Sequence, residues 1–120
     1  MSDAAAGEAP GLAYETTPEG ARTVRLRGVW SLQALRPRLR ELRRELNAFG
    51  ADETVRWDLC AVAQLDHAGA ALLWRAWGRR RSPQLALRGE HEAFFRRLAR
   101  AAEPGAEPRA ARWYRFFLLP

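Results

Sequence analysis

Val55-Arg-Trp-Asp-Leu-Cys-Ala-Val-Ala-Gln-Leu-Asp-His-Ala-Gly-Ala-Ala-Leu-Leu-Trp74 decides the fold of this chain. Val55 to Leu59 is a short strand-like run, a loop leads to Leu65-Asp66-His67-Ala68-Gly69-Ala70, and a helix-like run follows at once. Asp66 suits a helix start, because its carboxylate can accept from the free backbone N–H groups of the first turn. Ala68, Gly69 and Ala70 leave that turn bare, so another protein surface could approach the backbone closely. Strand, acidic cap, one polar residue, small residues and an amphipathic helix describe a docking or switch surface rather than a catalytic pocket.

Working upstream, Leu12 to Thr16 can form a short edge strand, and Pro18-Glu19-Gly20 is a turn signal. Thr23 to Arg27 alternates polar and apolar side chains, which predicts a half-buried strand paired with the first as a hairpin and ended by Gly28. Ser31 can cap the next helix, with Pro37 in its first turns or at a break. Leu32, Leu35, Leu39, Leu42, Leu46 and Phe49 then form one stripe facing the core, with Arg36, Arg38, Arg40, Arg43 and Arg44 outside it. Asn47 and Gly50 close that helix. Downstream, the second helix is expected over Asp66 to Arg79, a fourth strand over Gln84 to Arg88, and a third helix over Glu90 to Ala102 with Phe94, Phe95 and Leu98 inward. This order implies a small mixed four-stranded sheet with about three helices packed against it, an α/β fold. Right-handed crossovers would put both long helices on the same face.

At 120 residues and 48% hydrophobic content, the chain supports one globular domain. Residues 1–11 read as a flexible leader, 12–102 as the domain, and 103–120 as a linker and juxtamembrane segment. The last stretch mixes arginine with Trp113, Tyr114 and large apolar residues, a composition found beside membrane segments. Ala68 to Trp74, an uncharged apolar stretch, is far short of the ~20 residues that span a bilayer. The first 20 residues carry four acids and no base, unlike a secretory signal. The single cysteine, Cys60, excludes an internal disulfide framework and is expected to be a buried thiol.

The net charge of +6 comes with 20 arginines and no lysine, a pattern of codon bias in a GC-rich genome. The arginines are scattered over helices and strands, often beside acids, without the clustered basic stripe of a nucleic-acid module. No nucleic-acid partner is therefore expected. Nor is a metal: His67 and His91 lie 24 residues apart and Cys60 has no partner at ligand spacing. Ser31 and Ser82 fall at capping or turn positions with no base placed to activate them, and no glycine-rich phosphate loop is present. The reading is of no enzyme and no cofactor.

The candidate surface residues are Asp66, His67, Ala68, Gly69, Trp74 and Arg75. Asp66 is first of all a structural cap. His67 is either a partner contact or a solvated loop histidine. Trp74 with Arg75 can lie at the rim as an interface anchor, or Trp74 can fold back over the core edge. Arg79, Arg80 and Arg81 suit the negative end of the helix dipole and could also meet an acidic partner. His91, between Glu90 and Glu92, is expected to be exposed.

Four motifs in order resemble the STAS domain, and within it the modules fused in front of the MlaE-type permease of lipid ABC transporters. They are Gly28-Val29-Trp30, Trp57-Asp58-Leu59, Leu65-Asp66-His67-Ala68-Gly69-Ala70, and Leu72 to Gly78, read as Leu-Leu-Trp-x-Ala-Trp-Gly. The resemblance covers residues 12 to 102. It implies a non-enzymatic cytoplasmic interaction domain that docks on the cognate ATPase subunit through the start of its second helix. Through a permease domain beyond Pro120 it would sit at the inner membrane and serve transport of a phospholipid or similar amphiphile. STAS domains carry a serine or threonine after the aspartate, often the phosphorylated or partner-contacting residue. Here that position is His67, and Ala68 follows. This departure weighs against the alternative, a free-standing switch of the anti-sigma-factor-antagonist kind.

Overall fold

The structure, a computed structural model, describes residues 8–50 and 52–101. The linker and juxtamembrane segment expected over 103–120 lie outside the described residues. Strand β1 (Gly11–Thr16) and strand β2 (Arg22–Trp30) form the expected antiparallel hairpin, closed by Gly20 N–H donating to the Thr17 carbonyl at 2.9 Å. Part of the expected flexible leader is tied down: the Glu8 carbonyl accepts from Val29 N–H at 2.9 Å, and the Pro10 carbonyl accepts from Arg38 at 2.8 Å. Gly28 does not end β2. It takes a φ of +87° at a register irregularity, and the strand runs on to Trp30.

Helix α1 (Leu32–Leu35) is capped by Ser31 Oγ, which accepts from Ala34 N–H at 3.3 Å. Pro37 lacks the N–H that an α-helix interior needs. The chain therefore passes through a 3₁₀ turn (Arg36–Arg38) before helix α2 (Leu39–Phe49). That break shifts the stripe. Leu35, Leu42 and Leu46 are buried and Leu39 and Phe49 half-buried, but Leu32 is 48% exposed, contrary to its expected core position.

Strand β3 (Arg56–Leu65) lies parallel to β2 and is twice as long as the five residues expected. Apolar alternation holds through Trp57 and Leu59, then slips to Val62 and Leu65, because two register irregularities insert extra residues. Cys60 is not the buried thiol expected: with Trp57 and Leu59 inward, plain alternation turns its side chain to the face that carries no helix, where it lies exposed. Its backbone is satisfied by side chains: its N–H donates to Asp58 Oδ1 at 3.0 Å, and its carbonyl accepts from Arg88 at 2.8 Å.

Helix α3 (His67–Ala76) stops three residues before the expected Arg79. Gly78 takes a φ of +79° and donates to the Arg75 carbonyl at 3.1 Å, while Arg79 N–H reaches the Trp74 carbonyl at 2.8 Å. This is a Schellman stop, which satisfies the last carbonyls and needs a left-handed residue best supplied by glycine. Strand β4 (Leu85–Ala86) is shorter than expected and lies parallel to β3 at the far edge. A 3₁₀ turn (Gly89–His91) leads into helix α4 (Glu92–Ala101), with Phe95 buried and Phe94 and Leu98 half-buried. His91 is 4% exposed, not solvated as expected, because that turn folds it inward.

The sheet order is β1-β2-β3-β4, one antiparallel pair and two parallel ones, and α2, α3 and α4 share a single core with its inner face. Both long helices thus lie on the same side, as expected. The fold is α/β. On the opposite face Arg25 sits between Glu15 at 2.8 Å and Asp58 at 3.4 Å. Among the described residues no helix is long and apolar enough to cross a membrane.

Candidate docking site

Parallel pairing places Trp30, the end of β2, beside Leu65, the end of β3. Both strands turn directly into helices, so two helix N-termini emerge side by side at one edge of the sheet. The carboxyl edge of parallel strands is where α/β sheets present their binding surfaces. Asp66 ties the two loops together. Its Oδ1 accepts from Gly69 N–H at 2.9 Å, capping α3, and its Oδ2 accepts from Leu32 N–H at 2.9 Å at the start of α1. Its own N–H donates to the Trp30 carbonyl at 3.3 Å. One carboxylate thereby satisfies orphan donors of two helices.

Gly69 is buried, and its role is close approach within the molecule. A Cβ there would lie 2.0 Å from the Trp30 carbonyl oxygen and 3.1 Å from a Leu65 methyl. The bare first turn of α3 is thus partly used by the protein's own backbone. What stays accessible is one side of α3: His67 and Arg75 are exposed, and Ala68 and Ala71 are half-buried. His67, Ala71 and Arg75 are spaced by four and share a helix face. Trp74 is 7% exposed and belongs to the core, so of the two placements open to it, it takes the inward one.

The structure therefore brings His67, Ala68 and Arg75 to one surface, holds Asp66 and Gly69 beneath it, and removes Trp74 from it. It adds Leu32, which sequence periodicity assigned to the core. A depression of about 420 Å³ lies beside it, lined by Ser31, Leu32, Gln33, Arg36 and Asp66. The signal for Leu32 was Pro37, since a break five residues later uncouples the phase of the first turn from the stripe.

The remaining reactive side chains lie elsewhere. Ser82 is buried, and His91 lies at the start of α4 with no hydrogen-bond partner for its Nδ1 among the described residues. Burial pushes the His91 imidazole below its ordinary value, Glu90 opposing and Arg88 adding to the shift. The Cys60 thiol is raised, first by its hydrogen bond to Asp58 and then by burial. Among the described residues no group of three or more His, Cys, Asp or Glu side chains could hold a metal ion.

Fold and site together define an α/β domain with helices on one sheet face and a helix-start surface, part small and part apolar, at the sheet edge. No protein-family model matches the chain, and no curated protein matches it.

Proposed function

We propose that this chain is a STAS domain of the kind fused to MlaE-type permeases of lipid ABC transporters, and that it docks on the cognate ATPase subunit. The carrying observation is the double cap by Asp66, which fixes the His67-Ala68 turn beside the exposed Leu32. A preorganised turn with a small residue and an apolar neighbour suits a protein partner, since little entropy is lost in ordering it. The work of the domain in this reading is assembly or control of the transporter. The cargo, a phospholipid or similar amphiphile, is handled by the permease. Cys60 to Arg75 contains no hydroxyl side chain, so a serine-phosphorylation switch would have no acceptor in this loop.

The test is Ala68→Glu. A carboxylate in the first turn of α3 suits the helix dipole by about 0.3–1 kcal/mol. At a packed interface the same carboxylate would be desolvated without a partner, at a cost of several kcal/mol. The variant is expected to keep its Tm while co-purification with the ATPase subunit falls. Unchanged co-purification would place any docking surface elsewhere.

A further inference from the structure

In sequence the arginines look scattered, and many are paired in the fold: Arg22 with Asp52, Arg27 with Glu8, Arg80 with Glu53, Arg81 with Glu92. The outer side of α1 and α2 carries four that are not, one more than the exposed side of α4, where Arg96, Arg97 and Arg100 also have no ion-pair partner among the described residues. Arg36, Arg40, Arg43 and Arg44 are all exposed, and none has an ion-pair partner among the described residues. The carboxylate set among them, Glu41, is taken by Arg38 at 3.1 Å. Arg40, Arg43 and Arg44 are three and four apart and so neighbours on the helix surface.

The kink at Pro37 gathers Arg36 to the same ridge. Two adjoining clefts open there. One of about 340 Å³ is lined by Arg36, Arg38, Arg40 and Arg44 together with Glu41, and one of about 310 Å³ by Arg36, Arg40 and Arg43 around Leu39. Arg36 also lines the depression that holds Leu32, so the exposed leucine stands at one end of the ridge.

We propose that this ridge is a binding surface for the phosphate groups of an anionic lipid bilayer. Guanidinium forks match phosphate oxygens bidentately, and several on one convex face can engage several headgroups at once. An exposed leucine beside them can pass the headgroup level into the acyl boundary, the pairing of basic and apolar groups that peripheral surfaces use. The ridge has no aromatic side chain on which a nucleic-acid base could stack. Neither cleft contains a residue of α3; Leu32 is shared with the docking surface proposed above, so the test of this surface rests on the four arginines.

The experiment is co-sedimentation of the full chain with vesicles of phosphatidylcholine alone and of phosphatidylcholine with about one third phosphatidylglycerol, a composition chosen to give a strong negative surface potential. Binding is expected only to the anionic vesicles, and weaker as salt is raised. With Arg36, Arg40, Arg43 and Arg44 all changed to Gln, partitioning should fall about fifty-fold or more, as expected when four surface cations are lost. A second variant changes Arg56, Arg79, Arg96 and Arg100 to Gln, removing the same charge from other exposed positions. It should lose far less. Equal losses in the two variants would reduce the effect to net charge and overturn the proposal. So would unchanged partitioning of the ridge variant, or a wild type that ignores anionic vesicles while binding a short DNA duplex or inorganic phosphate through the same four arginines. Both variants should retain a cooperative thermal transition, since every side chain changed is exposed.

Discussion

Helices α2 and α3 pack side by side but are used in opposite ways, α2 setting leucines among arginines and glutamates and α3 running mainly through alanine, leucine and tryptophan. In α2 only Leu42 and Leu46 are fully buried, and its other side is an arginine ridge. In α3 Gly69, Ala70, Leu72, Leu73, Trp74 and Ala76 are all buried, and the accessible side is reduced to His67, Ala68, Ala71 and Arg75. The difference in composition matches a difference in position. Contacts with α2 on one side, α4 on the other and the sheet beneath enclose α3. A flanking helix offers solvent a broad polar face, whereas an enclosed one offers little beyond its first turn and one narrow line of side chains. The first turn of α3 is therefore the place to test for a partner protein, and α2 the place to test for a charged surface.

Trp74→Ala against Arg40→Ala is the sharpest way to break this contrast. Removing a buried tryptophan should cost about 3–5 kcal/mol, and truncating an exposed arginine within about 0.5 kcal/mol of nothing. Urea unfolding of the two variants measures both. A loss below about 1 kcal/mol for Trp74→Ala would return this side chain to the surface and make α3 as open as α2.

Asp66→Ala acts where the two helix starts meet. One cap contributes typically about 1 kcal/mol, so a carboxylate serving two helices should cost about 1–2 kcal/mol on replacement. Amide hydrogen exchange should then speed up at both Gly69 and Leu32. Faster exchange at Gly69 alone would show that α1 is held without Asp66.

A smaller effect should come from His91, in the turn that brings α4 over α3. Its folded value is depressed by burial, whereas in the unfolded chain it titrates near about 6.5. Below that point the unfolded state binds more protons, so stability is complete above about pH 6.5 and falls as the pH drops toward the folded value. His91→Leu, which also removes a buried nitrogen without a partner, should flatten that slope in thermal melts taken from pH 7 down to pH 5. A slope that persists over this range would show that His91 does not carry it, since carboxylates such as Glu92, held low first by its hydrogen bonds to Arg81, act only below about pH 5.

The sequence by itself determined what depends on near neighbours. The alternation of Thr23–Arg27, the turn at Pro18–Gly20 and the cap at Asp66 each rest on contacts within a few residues, and each is found in the fold. The order of elements was enough for the α/β class, because crossovers between parallel strands leave few ways to stack helices on a sheet. Tertiary structure decided the rest. The second role of Asp66 joins it to Leu32 across 34 residues, a contact no local pattern encodes. Extra residues in β3 carry the inward positions from Leu59 on to Val62 and Leu65, a slip no local pattern announces, whereas Cys60 faces outward by the alternation itself. Leu32 left its expected place in the core and Trp74 took the inward of the two placements open to it, since burial on a helix depends on what stands beside it as well as on its own periodicity. The arginine ridge has the same origin: cations spread along the chain become a surface where the fold leaves four of them side by side, with the one carboxylate among them, Glu41, taken by Arg38.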